Sequence, residues 1–328
     1  MPHPGQRGGS ANATTVRKDL RSRLGKSDIA TLVRRAASGH KPPAVEPPEI
    51  FDRGLRRLRR DRAAERFDDY SFIRDAIVEG LLDRLDIVTR KFGHALDLGT
   101  ANGSLARALR DRGIQVTACD AGARFATDSV QCDEDRLPFA SGEFDLIVSA
   151  GVLDSVNDLP GALIQCRRAL KPDGLFLAGF VGAGSLPRLK KALLAADQAA
   201  GGGVAQRVHP LIDVRAAGDL LTRAGFALPV ADGEPLDVGY ADPFRLMTDL
   251  RGMAATNMLA GDRPPLTRGR LMHLNQEFAA QADPDGRVRE RFELVFMTGW
   301  SPGPDQPQPA RRGSGKTSLA DALRTISK

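Results

Sequence analysis

From residue 93 to residue 183 short apolar runs alternate with amphipathic segments. The runs "HALDL" (94–98), "IQVTACD" (114–120), "SVQCD" (129–133), "FDLIVSAG" (144–151) and "GLFLAGF" (174–180) have strand length, and all but "SVQCD" are mostly apolar with few polar residues. Between them, Ser104–Arg112 and Pro160–Leu170 place apolar residues at helical spacing. Continuous buried strands alternating with amphipathic helices predict βαβ units and a parallel sheet covered on both faces.

The flanks read differently. From Phe51 to Phe92 the pattern is helical: Leu55 and Leu58 share one face, then Phe72, Ile73, Ile77, Leu81, Leu82 and Leu85 recur three or four apart. Beyond Gly184 helices are predicted near Pro187–Ala200, Val214–Ala224, 242–256 and 267–281. "FALPVADGEPLDV" suggests strands, and "VRERFELVFMTGW" (288–300) reads as one long strand. These transitions divide the chain into a basic, disordered arm (1–46), a helical cap (47–92), a core (93–183), a C-terminal part with a helical insertion (184–300) and a loose tail (301–328).

Composition narrows the class. The chain has 328 residues, 41% hydrophobic, and no 18-residue apolar run of the kind that spans a bilayer. Cys119, Cys132 and Cys166 have no metal-site spacing and read as reduced, mostly buried thiols. The net charge of +6 is uneven, with basic residues concentrated before residue 67 and above all in "RGLRRLRRDRAAER" (53–66). No aromatic stripe interleaves that cluster, and Asp52, Asp61 and Glu65 break it up. It therefore reads as a solvated helix face with some partner contact, not a nucleic-acid site. The first 45 residues are compatible with a mitochondrial presequence, though a basic bacterial extension is the simpler reading.

The candidate chemistry begins with the loop "LGTANGS" after the first strand. A strand, a glycine turn and a helix N-terminus aim backbone N–H groups at a ligand. Dinucleotides want G-x-G-x-x-G. Here Ala101 stands at the middle glycine, and Asp97 lies where a carboxylate repels phosphate but attracts a cation. S-adenosyl-L-methionine carries an ammonium and a sulfonium and no phosphate, so the loop favours that cofactor, held by Asp97, Gly99, Thr100, Ala101 and Gly103. Asp120, ending the second strand, can accept from both ribose hydroxyls.

The stretch 132–180, with an acid before "LPF", a strand opened by "FD" and a helix closed by "KPDG", resembles the class I methyltransferases. The resemblance implies a doubly wound α/β fold, a mostly parallel seven-stranded Rossmann-like sheet of order 3-2-1-4-5-7-6. It places Asp133 against the adenine amine with Glu134 beside it, and leaves Asp135 either there or on the surface. Further strings, "IFDRGLRRLRRDRAA" (50–64), "VNDLPGAL" (156–163), "LLTRAGF" (220–226), "DPFRLMTDLRGM" (242–253) and "FELVFMTGW" (292–300), look like the methyltransferase-fold assembly factors of respiratory complex I and their proteobacterial relatives. The biotin-pathway carrier-protein methyltransferases are similar over the cofactor core.

That resemblance implies three functions: a methyltransferase acting on a protein partner, an arginine hydroxylase acting on a complex I subunit, or an assembly factor with a vestigial pocket. It implies a bacterial cytoplasmic or a mitochondrial matrix setting. The chain departs from the family at Leu153-Asp154-Ser155, where Leu-His-Trp is usual, and at Gly182–Leu186, where Gly-Gly-Asp-Thr-Leu is usual. Asp154 and His209 ("RVHPLID") are the candidate catalytic residues, and no metal ligand is assigned. "GSGKTSL" (313–319) lacks the first glycine of a phosphate loop, with Ala310 in its place, and follows no strand, so it is not read as a nucleotide site.

Overall fold

The computed structural model describes residues 49–201, 203–304 and 306. The expected basic arm and the phosphate-loop look-alike at 313–319 lie outside them. Element order is α1 (Arg53–Ala63), a 3-10 stretch (Ala64–Tyr70), α2 (Phe72–Asp86), β1 (His94–Leu98), α3 (Ser104–Asp111), β2 (Gln115–Asp120), β3 (Val130–Gln131) and β4 (Phe144–Ala150). A 3-10 turn (Leu153–Ser155) leads to α4 (Leu159–Ala169), β5 (Leu170–Val181), α5 (Pro187–Ala199), α6 (Val214–Ala224), β6 (Ala227–Tyr240), α7 (Pro243–Gly252), α8 (Arg268–Ala279) and β7 (Val288–Trp300).

The seven strands form one sheet of order β3-β2-β1-β4-β5-β7-β6. Strands β1 to β5 run parallel, and β7 is antiparallel to both of its neighbours. This is the doubly wound arrangement that the alternating runs imply. Strand periodicity splits each run between two cores. Ala95, Leu146, Val148, Leu175, Leu177, Phe292 and Leu294 face α2, α3, α5, α7 and α8. Leu96, Leu98, Ile147, Phe176, Ala178, Phe180 and Val295 face α4 and α6.

Local chemistry sets the boundaries. Asp52, Asp158, Asp213, Asp242 and Thr267 each accept a first-turn N–H of the helix that follows. Gly225, at φ 82°, ends α6. The expected turn at "KPDG" is a bulge inside β5, because Leu170 already pairs with Phe144 before the register shifts to Leu146–Leu175. The tail is docked at its start: the Ser301 N–H donates to the Gly174 carbonyl at 2.7 Å. Among the described residues no helix is long and apolar enough to cross a membrane.

One expectation fails. The buried face of α1 is Arg56, Arg60 and Ala63, while Leu58 is 44% exposed. Arg62 and Arg66 of the arginine cluster are exposed, but Arg53, Arg56, Arg57 and Arg60 are not a solvated face. The guanidiniums of those four are drawn inward by acids at the carboxyl ends of β2 and β3.

Candidate functional site

The loop between β1 and α3 is held in a shape that only part of its sequence makes easy. Gly99 has φ 82°, Ala101 φ 46° and Gly103 φ 72°. A Cβ on Gly99 would stand 2.5 Å from a Val152 methyl, so the loop lies against the 3-10 turn as only glycine permits. Asp97 is fully buried at the end of β1. Its Oδ2 accepts from the Thr100 hydroxyl at 2.7 Å, and its Oδ1 has no partner. Burial pushes the Asp97 carboxyl above the usual carboxylate range, against the pull of nearby Arg74.

Arg74, on α2, went unnoticed in the sequence. It is 6% exposed and donates to the Thr100 carbonyl (2.9 Å) and the Ser104 hydroxyl (2.6 Å). Its Nε has no partner. A buried carboxylate oxygen and a buried guanidinium nitrogen, both unpaired, flank the loop. Such orphan groups are costly unless a ligand of complementary charge meets them.

The four acids beyond the loop each hold an arginine of α1. Asp120 accepts from Arg60 at 2.7 and 2.5 Å, and from the backbone N–H groups of Gly122 (2.8 Å) and Ala101 (3.0 Å). Burial opposes its charge, but Arg60 and those N–H groups keep its carboxyl below the usual range. Asp133 accepts from Arg57 at 3.2 and 2.5 Å. Glu134, 1% exposed, takes Arg56 at 2.7 and 2.8 Å. Asp135, also buried, takes Arg53 at 2.6 and 2.7 Å, so it is not a surface acid. Positions 53, 56, 57 and 60 follow i, i+3, i+4, i+7, one face of a helix. That spacing, matched to "DED" and Asp120, was the available signal.

At the carboxyl ends of β4 and β5 lie two cavities. A small one, about 60 Å³, is lined by Arg60, Arg74, Ala101, Gly151 and Val152. A larger one, about 330 Å³, is built by α5, α7 and the segments around 205–211 and 253–266. Ile73, Asp154, Val181, Met253 and Ala255 line both. Asp154 Oδ2 and His209 Nε2 stand 3.9 Å apart, beyond a direct hydrogen bond, with their side chains 15% and 7% exposed. Two residues 55 positions apart in sequence thus share one wall. The other departure, 182–186, is mostly structural: Ser185 donates to the Gly182 carbonyl and accepts from the Glu293 N–H, and only Leu186 reaches the larger cavity.

A model of the methyltransferase domain matches residues 96–178, which run from β1 to β5. The mitochondrial arginine-hydroxylase NDUFAF5 of Danio rerio is 32% identical over 83% of this chain and 89% of its own length. The malonyl-[acyl-carrier protein] O-methyltransferase of Halorhodospira halophila is 32% identical over 78% of this chain and 90% of its own. The chain belongs to the class I S-adenosylmethionine-dependent methyltransferase family. YcgJ of Bacillus subtilis, a solved structure, aligns over 69% of this chain and 98% of its own at 16% identity and a TM-score of 0.47.

Family membership brings S-adenosyl-L-methionine as the cofactor. The methionine half of such a ligand fits the residues as they stand. Its ammonium is complementary to the orphan Asp97 Oδ1, and its carboxylate to the orphan Arg74 Nε. In the adenosine half the acids are of the right type, but Arg60, Arg57 and Arg56 already occupy their oxygens.

Proposed function

We propose that this methyltransferase transfers the cofactor's methyl group to an acceptor that reaches Asp154 and His209 through the 330 Å³ cavity. The observation that carries this reading is the position of Asp154 and of Ile73, Val181, Met253 and Ala255 on the wall between the two cavities. A reacting atom placed there has the cofactor loop on one side and its own chamber on the other. In this reading Asp97, Gly99, Thr100, Ala101 and Gly103 hold the methionine half, and Asp120, Asp133 and Glu134 face the adenosine.

When bound, the cofactor supplies an electrophilic methyl on a cationic sulfur, which keeps the C–S electron pair as the acceptor's new bond to carbon forms. The chain's own residues do the rest. The buried walls of the larger cavity fix the acceptor's approach and exclude water. Asp154 takes the acceptor's proton, and His209, across 3.9 Å, shares the charge balance of the pair. Arg74 and Asp97 hold charges of opposite sign beside the loop, where the cofactor's own two charges meet them.

A second reading, protein hydroxylation, has support in the printed name of the Danio rerio relative. By the same likeness the acceptor would be an arginine of a respiratory complex I subunit, and the setting a bacterial cytoplasm or a mitochondrial matrix. Calorimetry with S-adenosyl-L-methionine, followed by intact-mass analysis of proteins from wild-type and deletion cells, separates the readings. A gain of one CH2 unit that Asp154→Asn abolishes supports methylation of a protein. A gain of one oxygen atom overturns it in favour of hydroxylation. A folded protein that does not bind the cofactor overturns methyl transfer, and no mass change in any protein then favours the assembly role.

A further inference from the structure

The larger cavity, away from its Asp154 end, is lined by hydrocarbon: Leu186, Leu189, Leu193, Met247, Leu250 and Phe292. Its charged neighbours there are arginines. Arg207 is neutralised, with both Asp197 oxygens accepting from it at 2.9 and 2.7 Å. Arg59 and Arg251 are not so matched. They line the cavity and also an adjoining depression of about 480 Å³, together with Arg62, Arg66 and one acid, Glu65. Arg263 stands on the cavity wall 3.6 Å from Asp52. Burial lowers the pKa of Arg59, and the guanidiniums of Arg263 and Arg62 lower it further. This wall carries surplus positive charge.

A continuous path therefore runs from a basic depression, through a hydrocarbon chamber, to the Asp154 wall beside the cofactor loop. We propose that this path takes a medium-chain aliphatic acceptor with a carboxylate at one end and a hydroxyl at the other: the carboxylate meets Arg59 and Arg251, the chain lies between α5 and α7, and the hydroxyl oxygen takes the methyl group as its proton passes to Asp154. The inference rests on the reading of Asp154 as the reacting end. It separates this chain from an enzyme for cationic side chains. A guanidinium-bearing peptide would pass Arg59, Arg62 and Arg251, with Arg66 paired to Asp69 at 2.9 Å and Glu65 as the one acid lining the depression.

Three probes of one chain length test this: decanoate, decanol and decylammonium, titrated calorimetrically into the full chain below their aggregation concentrations, with and without S-adenosyl-L-methionine. Decanoate binds tightest, decanol about tenfold weaker, and decylammonium weaker still. Arg251→Glu removes the preference for decanoate and leaves decanol unchanged. Met247→Trp, which fills the chamber, weakens all three while cofactor binding, measured in the same samples, reports an intact fold. Equal affinities overturn the charge assignment. A decylammonium preference overturns it in favour of a cationic acceptor. No binding of any probe to a sample that takes up the cofactor overturns the proposal. If decanoate binds but Asp154→Asn leaves methyl transfer to 10-hydroxydecanoate unchanged, the reacting end was misassigned and the chamber's occupant was not.

Discussion

Arg60 and Asp120 meet through two parallel hydrogen bonds, 2.7 and 2.5 Å, with side chains 7% and 0% exposed. This pair joins the helical cap to the carboxyl end of β2, where the proposed site takes the cofactor's ribose.

Arg60→Gln is expected to lower stability by about 3 kcal/mol, because a buried carboxylate loses its counterion. It also frees the Asp120 oxygens. The variant should melt below the wild type without cofactor and show the larger rise in Tm when S-adenosyl-L-methionine is added. Thermal unfolding of both proteins across a cofactor titration decides it. Equal cofactor-induced shifts would show that Arg60 does not compete for Asp120.

Arg56 and Glu134 offer a cleaner energetic test. Either Arg56→Met or Glu134→Met alone strands a buried charge, at a cost of about 3–5 kcal/mol. The double variant is expected to recover more than half of that loss, since two apolar side chains replace two charges. Urea unfolding of the four proteins closes the cycle. Additive losses would mean that the pair is not a unit.

Asp97 and Asp120 have opposite signs in acid. Asp120 has a depressed carboxyl, so its contribution is present above the unfolded value of about 3.9 and is lost as pH falls through the folded one. Asp97 has a raised carboxyl, so its contribution is present below about 3.9 and is lost as pH rises through the folded value. Asp97→Asn is therefore expected to stabilise the cofactor-free protein near neutral pH and to weaken cofactor binding. Unfolding free energies between about pH 4 and pH 7, paired with calorimetry, test both halves. A destabilised variant with unchanged cofactor affinity would refute the assignment.

Gly99→Ala should cost about 2–3 kcal/mol, from a positive φ of 82° and a Cβ set 2.5 Å from Val152. Val152→Ala in the same chain removes the two methyl clashes but leaves a tight 3.0 Å contact to the Cβ at 152 and the backbone strain. Denaturant midpoints should show partial rescue, and complete rescue would mean that neither the φ nor the remaining Cβ contact carries strain.

The strand run from β1 to β5 and the glycine loop were legible because each is specified within a few residues: five apolar positions, a glycine, a cap. The arginine face of α1 was not. A helix with basic residues three and four apart looks the same whether water or carboxylates receive it, and here the receiving acids are 60 to 82 residues away. Arg74 was hidden for the same reason, since its partners are carbonyls of a loop whose path depends on Val152. Asp154 and His209 could each be picked out singly, but their approach depends on how the segment after α5 folds back over β4.

Helix α1 has a second contact, with its own consequence. One face holds Asp120, Asp133, Glu134 and Asp135, while Arg59 donates to the Asn257 carbonyl and lines the acceptor chamber. In the proposed reading the same helix closes over both ligands. Displacing it to admit the cofactor disturbs the acceptor's wall, and that wall is complete only when the helix has settled. Turnover should then follow a compulsory order, with the cofactor first on and its spent form last off. Steady-state kinetics would show S-adenosylhomocysteine competing with the cofactor and not with the acceptor.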